Sequence, residues 1–471
     1  MDERIRSGVP GLDEVLGGGV PSNAINLIMG MPGTGKTVLA QQYVFANVAD
    51  RPALYLSTAS EPFEKIIRYG QGLAFFDPAE VGERVFYEDI GHTLLHEGPR
   101  GVLDQVARLL ETHDPGLLVI DSFRPLAELV GAGSEYRRFL HELAARLTIR
   151  RLTSFWLAEY LSAEIGSAPE FGVADAVLWL ASARLDDREV RLLQVLKLRG
   201  SSFLSGRHGY RLSAQGMRVF PRLADPAQQS PYEPVAGNRS WGVKSLDAVI
   251  GGGAGGASTL VVGPSGSGKT VLGLEFATAG PRHREQAILA TFDENPAQLE
   301  SVAAGFGWSL AERKLKLMYR SPVDLYLDEW VYDLLALVES HDARRIVIDG
   351  LSNLRVAARD PIRFQEYLYS LVQRCSRRGT RLLMTIESPE LFGIARLPEV
   401  PLSQIADNVV LLQFVRREWD YRRAMVVLKS RGAQVDPGLN EYVIGSTGIE
   451  VLPRRPSASE RPSRVNAGSA R

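Results

Sequence analysis

The chain has 471 residues, of which 45% are hydrophobic and 23% charged. This is the balance of a soluble globular protein long enough for two to four domains. The net charge of −1 gives no overall attraction to nucleic acid or to an anionic membrane. The single cysteine, Cys375, excludes an intramolecular disulfide and a four-cysteine zinc site. We therefore expect a cytoplasmic protein with no signal peptide and no membrane-spanning segment.

Apolar runs of strand length alternate with longer amphipathic stretches, and the whole alternation occurs twice. The strand candidates are AINLIMG, PALYLST, GLLVIDS, RLTSFWLAE and DAVLWLA in the first half, and STLVVG, QAILATFD, RRIVIDG, TRLLMTIE and NVVLLQFV in the second. Near-continuous apolar strands separated by helices are typical of parallel sheets covered on both faces. The predicted fold class is therefore α/β, with a mostly parallel sheet in each half.

The two halves are copies of one domain. SGVPGLDEVLGGG, which begins at Ser7, recurs as WGVKSLDAVIGGG, which begins at Trp241, and later motifs recur about 230 residues apart. The segment ADPAQQSPYEPVAGN has the composition of a linker, and PRRPSASERPSRVNAGSAR has almost nothing to bury. We predict domains at 1–223 and 239–452, a linker at 224–238, and a disordered basic tail at 453–471.

Each half carries a glycine-rich phosphate-binding loop between an apolar strand and a helical stretch. GMPGTGKT and GPSGSGKT both fit the G-x-x-x-x-G-K-[ST] pattern, in which backbone N–H groups and a helix N-terminus surround phosphate oxygens. The lysine reaches the β- and γ-phosphates of a nucleotide such as ATP. The candidate nucleotide-binding residues are Gly30, Met31, Pro32, Gly33, Thr34, Gly35, Lys36 and Thr37, and Gly263, Pro264, Ser265, Gly266, Ser267, Gly268, Lys269 and Thr270.

A magnesium ion bound with the nucleotide needs a hydroxyl and a carboxylate. The hydroxyls are predicted to come from Thr37 and Thr270, which end the two loops. Asp121 ends LLVID and Asp349 ends IVID, so each carboxylate follows a buried strand, as in a Walker B motif. The alternative is that each aspartate only caps the helix that follows it.

Together, GVPGLDEVLGGG, the GxxxxGKT loops, FDENP, the VID strands and the late LKLRG and LKSRG turns resemble the KaiC family. The resemblance covers about residues 5–222 and 238–452. It implies two tandem RecA-like P-loop domains that form stacked ATPase rings, usually hexameric, with nucleotide at subunit boundaries. It also implies that a Lys-x-Arg-Gly turn reaches the neighbouring subunit's nucleotide, here Lys197 with Arg199 and Lys429 with Arg431. The alternative is a solvated surface turn.

The family resemblance also implies two consecutive acids after the second strand, the first of which is the catalytic base. In the second half these are Asp293, where the family has glutamate, and Glu294. The first half has Ala59 and Ser60 at the same place, and the nearby Glu61 aligns with Asn295, a predicted helix N-cap. We therefore expect hydrolysis mainly in the second half, unless Glu61 replaces the missing base.

In clock members of the family the second domain phosphorylates an adjacent Ser-Thr pair. Here Ser403 aligns with the serine and Gln404 replaces the threonine, so Ser403 is a candidate phosphate acceptor or only a cap. The leading hypothesis is a ring-forming ATPase that regulates an unidentified signalling partner. The alternatives are a DNA-dependent ATPase, which the lack of net basic charge and of an added DNA-binding domain disfavours, and a nucleotide-gated scaffold with little turnover.

Overall fold

The computed structural model describes residues 3–58, 63–130, 133–160, 164, 169–185, 188–223, 241, 243–249, 258–282, 285–312, 315–358, 360–390, 402–417, 419–431 and 438–452. The chain divides into two compact units, Met1–Arg222 and Leu223–Arg471. The predicted linker and the predicted tail lie outside the described residues, as do Ala59, Ser60 and Glu61. No helix in the described part of the chain is both long enough and apolar enough to cross a membrane.

The first unit alternates strands and helices and ends in antiparallel strands. Its elements are β1 Arg4–Ile5, α1 Leu12–Val15, β2 Val20–Pro21, β3 Ile25–Gly30, α2 Lys36–Asn47, β4 Ala53–Ser57, α3 Phe63–Gly70, β5 Val85–Asp89, α4 Gly91–His113, β6 Leu117–Asp121, α5 Phe123–Val130, α6 Ser134–Ile149, β7 Thr153–Ala158, α7 Glu170–Val173, β8 Ala176–Leu185, β9 Arg188–Leu198, β10 His208–Ser213 and β11 Gly216–Phe220.

The second unit repeats this pattern. Its elements are α8 Lys244–Val249, β12 Ser258–Gly263, α9 Lys269–Arg282, β13 Gln286–Thr291, α10 Pro296–Gly305, β14 Leu315–Tyr319, α11 Leu327–Ser340, β15 Ala343–Asp349, α12 Leu351–Ala358, α13 Pro361–Arg377, β16 Arg381–Glu387, α14 Leu402–Ile405, β17 Asn408–Arg417, β18 Asp420–Ser430, β19 Asn440–Gly445 and β20 Gly448–Val451. The predicted start of α10 is confirmed: Asn295 is its N-cap and Pro296 its first residue.

The main sheets of the two units have the same strand order. It runs β11-β10-β9-β8-β3-β7-β6-β4-β5 in the first unit and, read from the other edge, β20-β19-β18-β17-β12-β16-β15-β13-β14 in the second. The strands from β8 to β5 in the first order are parallel, and β9 to β11 extend the sheet antiparallel. The predicted α/β class, with two mostly parallel sheets, is confirmed.

Helices cover both faces of each sheet, which explains the near-continuous apolar strands. In β4, Ala53 and Tyr55 join one buried cluster while Leu54 and Leu56 join the other. The strand β13 divides in the same way between its two clusters. Because parallel strands place their carboxyl ends at one edge, the phosphate loop after β3 lies beside the ends of β6 and β7.

Candidate functional site

The phosphate loop of the first unit turns sharply between β3 and α2. Gly33 and Gly35 have φ of 81° and 90°, values that glycine adopts without steric strain. A Cβ built on Gly35 would lie 2.8 Å from a methyl carbon of Leu212, so a side chain would also clash there. Gly35 is the N-cap of α2 and offers no side-chain hydrogen bond. The first N–H groups of α2 therefore receive no side-chain cap from Gly35 and suit an anion.

Lys36 is buried at the start of α2. Its Nζ donates hydrogen bonds to the carbonyl oxygens of Gly30 (2.9 Å) and Met31 (3.1 Å) and lies 3.9 Å from Glu159 Oε1. Burial lowers the pKa of Lys36, and the charges of Glu159 and then Asp121 oppose that change. The lysine is thus held across the loop by carbonyl groups that phosphate oxygens can replace.

The first-unit hydroxyl and carboxylate meet as the sequence predicts. Thr37 Oγ1 donates to Asp121 Oδ2 at 2.9 Å. The hydroxyl of Tyr55, a fully buried side chain of β4, donates to the same oxygen at 2.7 Å. Burial raises the pKa of Tyr55 well above its ordinary value, and the charge and hydrogen bond of Asp121 raise it further. Tyr55 is therefore a permanent donor to this aspartate.

The second-unit loop has the same form. Lys269 Nζ donates to the carbonyl oxygens of Gly263 and Pro264, both at 2.9 Å. Burial lowers the pKa of Lys269, and the charge of Glu387 is the largest opposing effect. Gly266 and Gly268 have φ of 74° and 94°. Both units thus present a loop of matching geometry, with a lysine that is buried in the first unit and partly buried in the second.

The second-unit aspartate is held differently. Asp349 accepts a hydrogen bond on Oδ1 from Thr385 in β16, and its buried Oδ2 has no partner among the described residues. Thr270 Oγ1 donates to Glu294 Oε1 at 3.4 Å, a long hydrogen bond. Each unit thus offers a hydroxyl and a carboxylate, and the partnerless Oδ2 is a buried polar atom that a hydrated cation can satisfy.

These donors fit Mg²⁺ bound together with a nucleotide. No group of three or more His, Cys, Asp or Glu side chains in the described residues is arranged to hold a metal ion by itself. Mg²⁺ commonly takes one or two protein ligands and completes its shell with phosphate oxygens and water. The pairs Thr37 with Asp121 and Thr270 with Asp349 would serve this purpose.

The predicted acid pair lies beside the second-unit site. Both carboxylate oxygens of Asp293 are 3.2 Å from Asn353 Nδ2, which donates to them. Burial raises the pKa of Glu294, and the nearby charges of Asp349 and Asp293 raise it further. Glu294 is thus half-buried and accepts a hydrogen bond from Thr270, whereas Asp293 is exposed and accepts from Asn353. Nothing comparable is described in the first unit, because residues 59–62 lie outside the described residues.

The Lys-x-Arg turns lie at the opposite end of the sheet from the phosphate loop of their own unit. Arg199 Nη1 lies 3.2 Å from Asp175 Oδ1, and Asp175 Oδ2 accepts from the backbone N–H of Ile25, the first residue of β3. The phosphate loop begins at the other end of that strand, about 17 Å away at 3.3 Å per residue. Lys197 Nζ donates to the carbonyl oxygen of Phe171 at 2.9 Å.

The second-unit turn repeats this arrangement. Lys429 Nζ donates to the carbonyl oxygen of Ala406 at 2.7 Å, and Arg431 Nη1 lies 3.5 Å from Asp407 Oδ1. Asp407 Oδ2 accepts from the backbone N–H of Ser258, the first residue of β12. The structure therefore does not bring these four basic residues to the phosphate loop of their own unit. Ser403 lies in α14.

Other residues beside the loops were missing from the predicted site. Glu159 and Glu387 follow β7 and end β16 beside the loop lysines, and both are visible in the sequence as the final letter of RLTSFWLAE and TRLLMTIE. Tyr210 and Tyr442 donate to the loop carbonyl oxygens of Thr34 and Ser267. These tyrosines also recur at the repeat spacing, which is the signal that could have identified them.

Comparison with known proteins covers nearly the whole chain. The model of the family described as "ATPase: KaiC" matches residues 5–224 and 240–456. The "Circadian clock oscillator protein KaiC" of Picosynechococcus sp. is 28% identical in an alignment 471 positions long, which covers 95% of this chain and 89% of that protein. "Circadian clock oscillator protein KaiC 1" of Synechocystis sp. is 28% identical over 467 residues, with the same shares. The "Circadian clock oscillator protein KaiC" of Rippkaea orientalis is 28% identical in an alignment 464 positions long, which covers 94% of this chain and 88% of that protein.

Proposed function

Because the chain belongs to the KaiC family of ATPases, we propose that it is a ring-forming regulatory ATPase that hydrolyses ATP mainly in its second unit. The single observation that carries the second part is the acidic group beside the second phosphate loop: Glu294 accepts a hydrogen bond from Thr270, and the charges of Asp349 and Asp293 act on Glu294. The first half has Ala59 and Ser60 where the second has the acid pair.

In the second unit, hydrolysis requires an acceptor for the proton of the attacking water. As the water oxygen bonds to the γ-phosphorus and the bond to the β-phosphate oxygen breaks, Glu294 or Asp293 takes the proton, and ADP and phosphate leave. The raised pKa of Glu294 suits it to this task, since a base works best when its pKa approaches the working pH. Lys269 exchanges its loop carbonyls for phosphate oxygens. Thr270 and Asp349 would hold Mg²⁺, which would supply charge neutralisation.

Assembly into a ring explains why the Lys-x-Arg turns lie far from their own phosphate loops. Each turn can reach a phosphate only in a neighbouring copy of the chain, where Arg199 or Arg431 would neutralise charge on the departing phosphate. The proposed assembly is a homohexamer, in keeping with the family, in the cytoplasm. Its regulatory partner is a protein, and autophosphorylation of Ser403 stays a prediction.

Two other activities are less well supported. A DNA-dependent ATPase would need a basic strand-binding surface, and the net charge of −1 does not favour one. A scaffold that binds ATP without turnover would not need an acid pair beside its phosphate loop. The relatives are described as circadian clock oscillators, but Gln404 replaces half of the predicted acceptor pair. We therefore propose regulation in general and no clock role.

The test is to replace the second-unit acids with amides. Asp293→Asn with Glu294→Gln keeps the size of both side chains and lowers their basicity, so ATP binding is expected to persist. Steady-state ATPase activity is expected to fall about 10²–10⁴-fold, the usual contribution of a general base. The first-half control, Glu61→Gln, is expected to change turnover little. If Glu61→Gln abolishes turnover and the double variant retains it, hydrolysis belongs to the first half.

A further inference from the structure

The two Walker-type aspartates take their strongest side-chain partner from opposite neighbouring strands. Asp121 in β6 lies between β4 and β7, and its donor, Tyr55, comes from β4. Asp349 in β15 lies between β13 and β16, and its donor, Thr385, comes from β16. The position of each donor is occupied by leucine in the other unit: Leu289 aligns with Tyr55, and Leu157 pairs directly with Asp121.

In the first unit, the carboxylate oxygen that faces Thr37 already accepts two hydrogen bonds. Thr37 and Tyr55 both donate to Asp121 Oδ2. A carboxylate oxygen has two lone-pair positions, so these donors saturate it. Tyr55 is fully buried between the helices and the sheet and cannot swing away to water. A water molecule bound to a cation must therefore displace one of these donors before it can use Oδ2.

In the second unit one carboxylate oxygen of the aspartate is open. Asp349 Oδ2 is buried and accepts no hydrogen bond from any described residue, while Oδ1 is held by Thr385. Leu289 is fully buried and has no donor to offer. A buried, partnerless carboxylate oxygen is unfavourable, so anything that supplies a donor there, such as a water on Mg²⁺, is bound with added free energy.

We propose that Tyr55 makes the first nucleotide site weakly dependent on Mg²⁺, and that its absence makes the second site strongly dependent. Tyr55 acts as a specificity-determining residue by occupying the Asp121 oxygen that cation-bound water would otherwise use. This inference rests on the proposed function, because it assumes that each unit binds ATP at its phosphate loop. The first site then holds nucleotide when free Mg²⁺ is scarce, and the second releases it.

Binding measurements on the full chain test each site separately. The variant Lys269→Ala reports on the first site and Lys36→Ala on the second. The dissociation constant of a non-hydrolysable ATP analogue is measured by titration calorimetry in MgCl₂ and again in EDTA. The EDTA-to-Mg²⁺ ratio is the dissociation constant measured in EDTA divided by the one measured in MgCl₂. It is expected to be near one for the first site and about tenfold larger for the second. This expectation corresponds to a hydrogen bond at a charged group.

The decisive variant is Tyr55→Phe in the Lys269→Ala background, which removes one oxygen atom. Its EDTA-to-Mg²⁺ ratio is expected to rise about tenfold, toward that of the second site, and Tyr55→Leu, which installs the second-unit residue, is expected to do the same. Tyr43→Phe is the matched control, since Tyr43 is equally buried in the same unit and its hydroxyl has no partner among the described residues. Its ratio is expected to stay unchanged.

Three outcomes separate this inference from the proposed function. If neither site binds the analogue in either condition, the proposed function fails, and this inference with it. If both sites bind with equal ratios and Tyr55→Phe changes nothing, this inference alone is overturned. The inference is also overturned if the Tyr55→Phe variant has a lower EDTA-to-Mg²⁺ ratio than its Lys269→Ala parent. Tyr55 would then position Asp121 for the cation rather than compete with the cation for Asp121.

Discussion

Replacing Thr385 with valine removes the hydroxyl that holds Asp349, at almost constant side-chain volume. Thr385 Oγ1 donates to Asp349 Oδ1 and accepts from the backbone N–H of Gly350 at 2.9 Å. A hydrogen bond to a charged group contributes about 1.5–3 kcal/mol and a neutral one about 1 kcal/mol. Asp349 would also be left buried, with no described partner on Oδ2. We expect a loss of about 3 kcal/mol in the free energy of unfolding.

For a unit of this size, 1 kcal/mol lowers Tm by about 2–4 °C, so the expected shift is about 6–12 °C. Calorimetry of the full chain without nucleotide measures it. Thr380→Val is the matched control: Thr380 is equally buried in the same unit, but its hydroxyl donates to the neutral carbonyl oxygen of Ala343 at 3.0 Å. It is expected to lower Tm by about 2–4 °C, for about 1 kcal/mol. Thr385→Ser keeps the hydroxyl and is expected to recover most of the loss.

The reasoning fails if Thr385→Val lowers Tm no more than Thr380→Val does. The hydrogen bond from Thr385 to Asp349 would then stabilise the unit no more than a neutral hydrogen bond does. The difference between the partners of the two aspartates would then have no measurable effect on stability. A second measurement sharpens the result: Mg²⁺ with the non-hydrolysable analogue is expected to narrow the Tm gap, since the bound cation shell supplies donors to Asp349.

Two further changes test the assembly of the chain and a buried ion pair in the second unit. The double variant Lys36→Ala, Lys269→Ala is expected to sediment as smaller species in the presence of ATP, since a ligand that bridges subunits adds its affinity to their association; an unchanged hexamer would refute nucleotide-driven assembly. Glu285→Ala leaves the guanidinium of Arg345, 1% exposed, without the carboxylate 2.7 Å away. The free energy of unfolding, measured by urea denaturation, is expected to fall by about 3 kcal/mol. Adding Arg345→Met is expected to restore part of this loss.

The fold and the phosphate loops could be predicted because their signals are local. The GxxxxGKT loops need glycines at fixed positions, and parallel strands buried on both faces need unbroken apolar runs. The N-cap at Asn295 was also predictable from adjacent residues, because asparagine followed by proline is a common start of a helix. Each of these features is decided by residues a few positions apart in the chain.

The differences between the two sites could not be predicted, because they depend on residues from strands that are distant in sequence. Tyr55 lies 66 residues from Asp121, and Thr385 lies 36 residues beyond Asp349. In the sequence alone, Tyr55 is one more apolar strand residue and Thr385 one polar residue in a buried strand. Only the pairing of the strands shows that each of them meets the aspartate of its own unit, and that they do so from opposite neighbouring strands.

The two copies of the domain satisfy their aspartates from different strands. A carboxylate that is buried or partly buried must receive hydrogen bonds, and the strand hydroxyl that donates comes from β4 in the first copy and from β16 in the second. Tyr55 and Thr37 both donate to Oδ2 of Asp121, whereas Thr385 donates to Oδ1 of Asp349 and leaves its Oδ2 without a described partner. The unit with the open oxygen is also the unit that keeps Asp293 and Glu294. Under the function and the cation dependence proposed above, cation demand and proton acceptance lie together in the second copy, and the first copy holds nucleotide between turnovers.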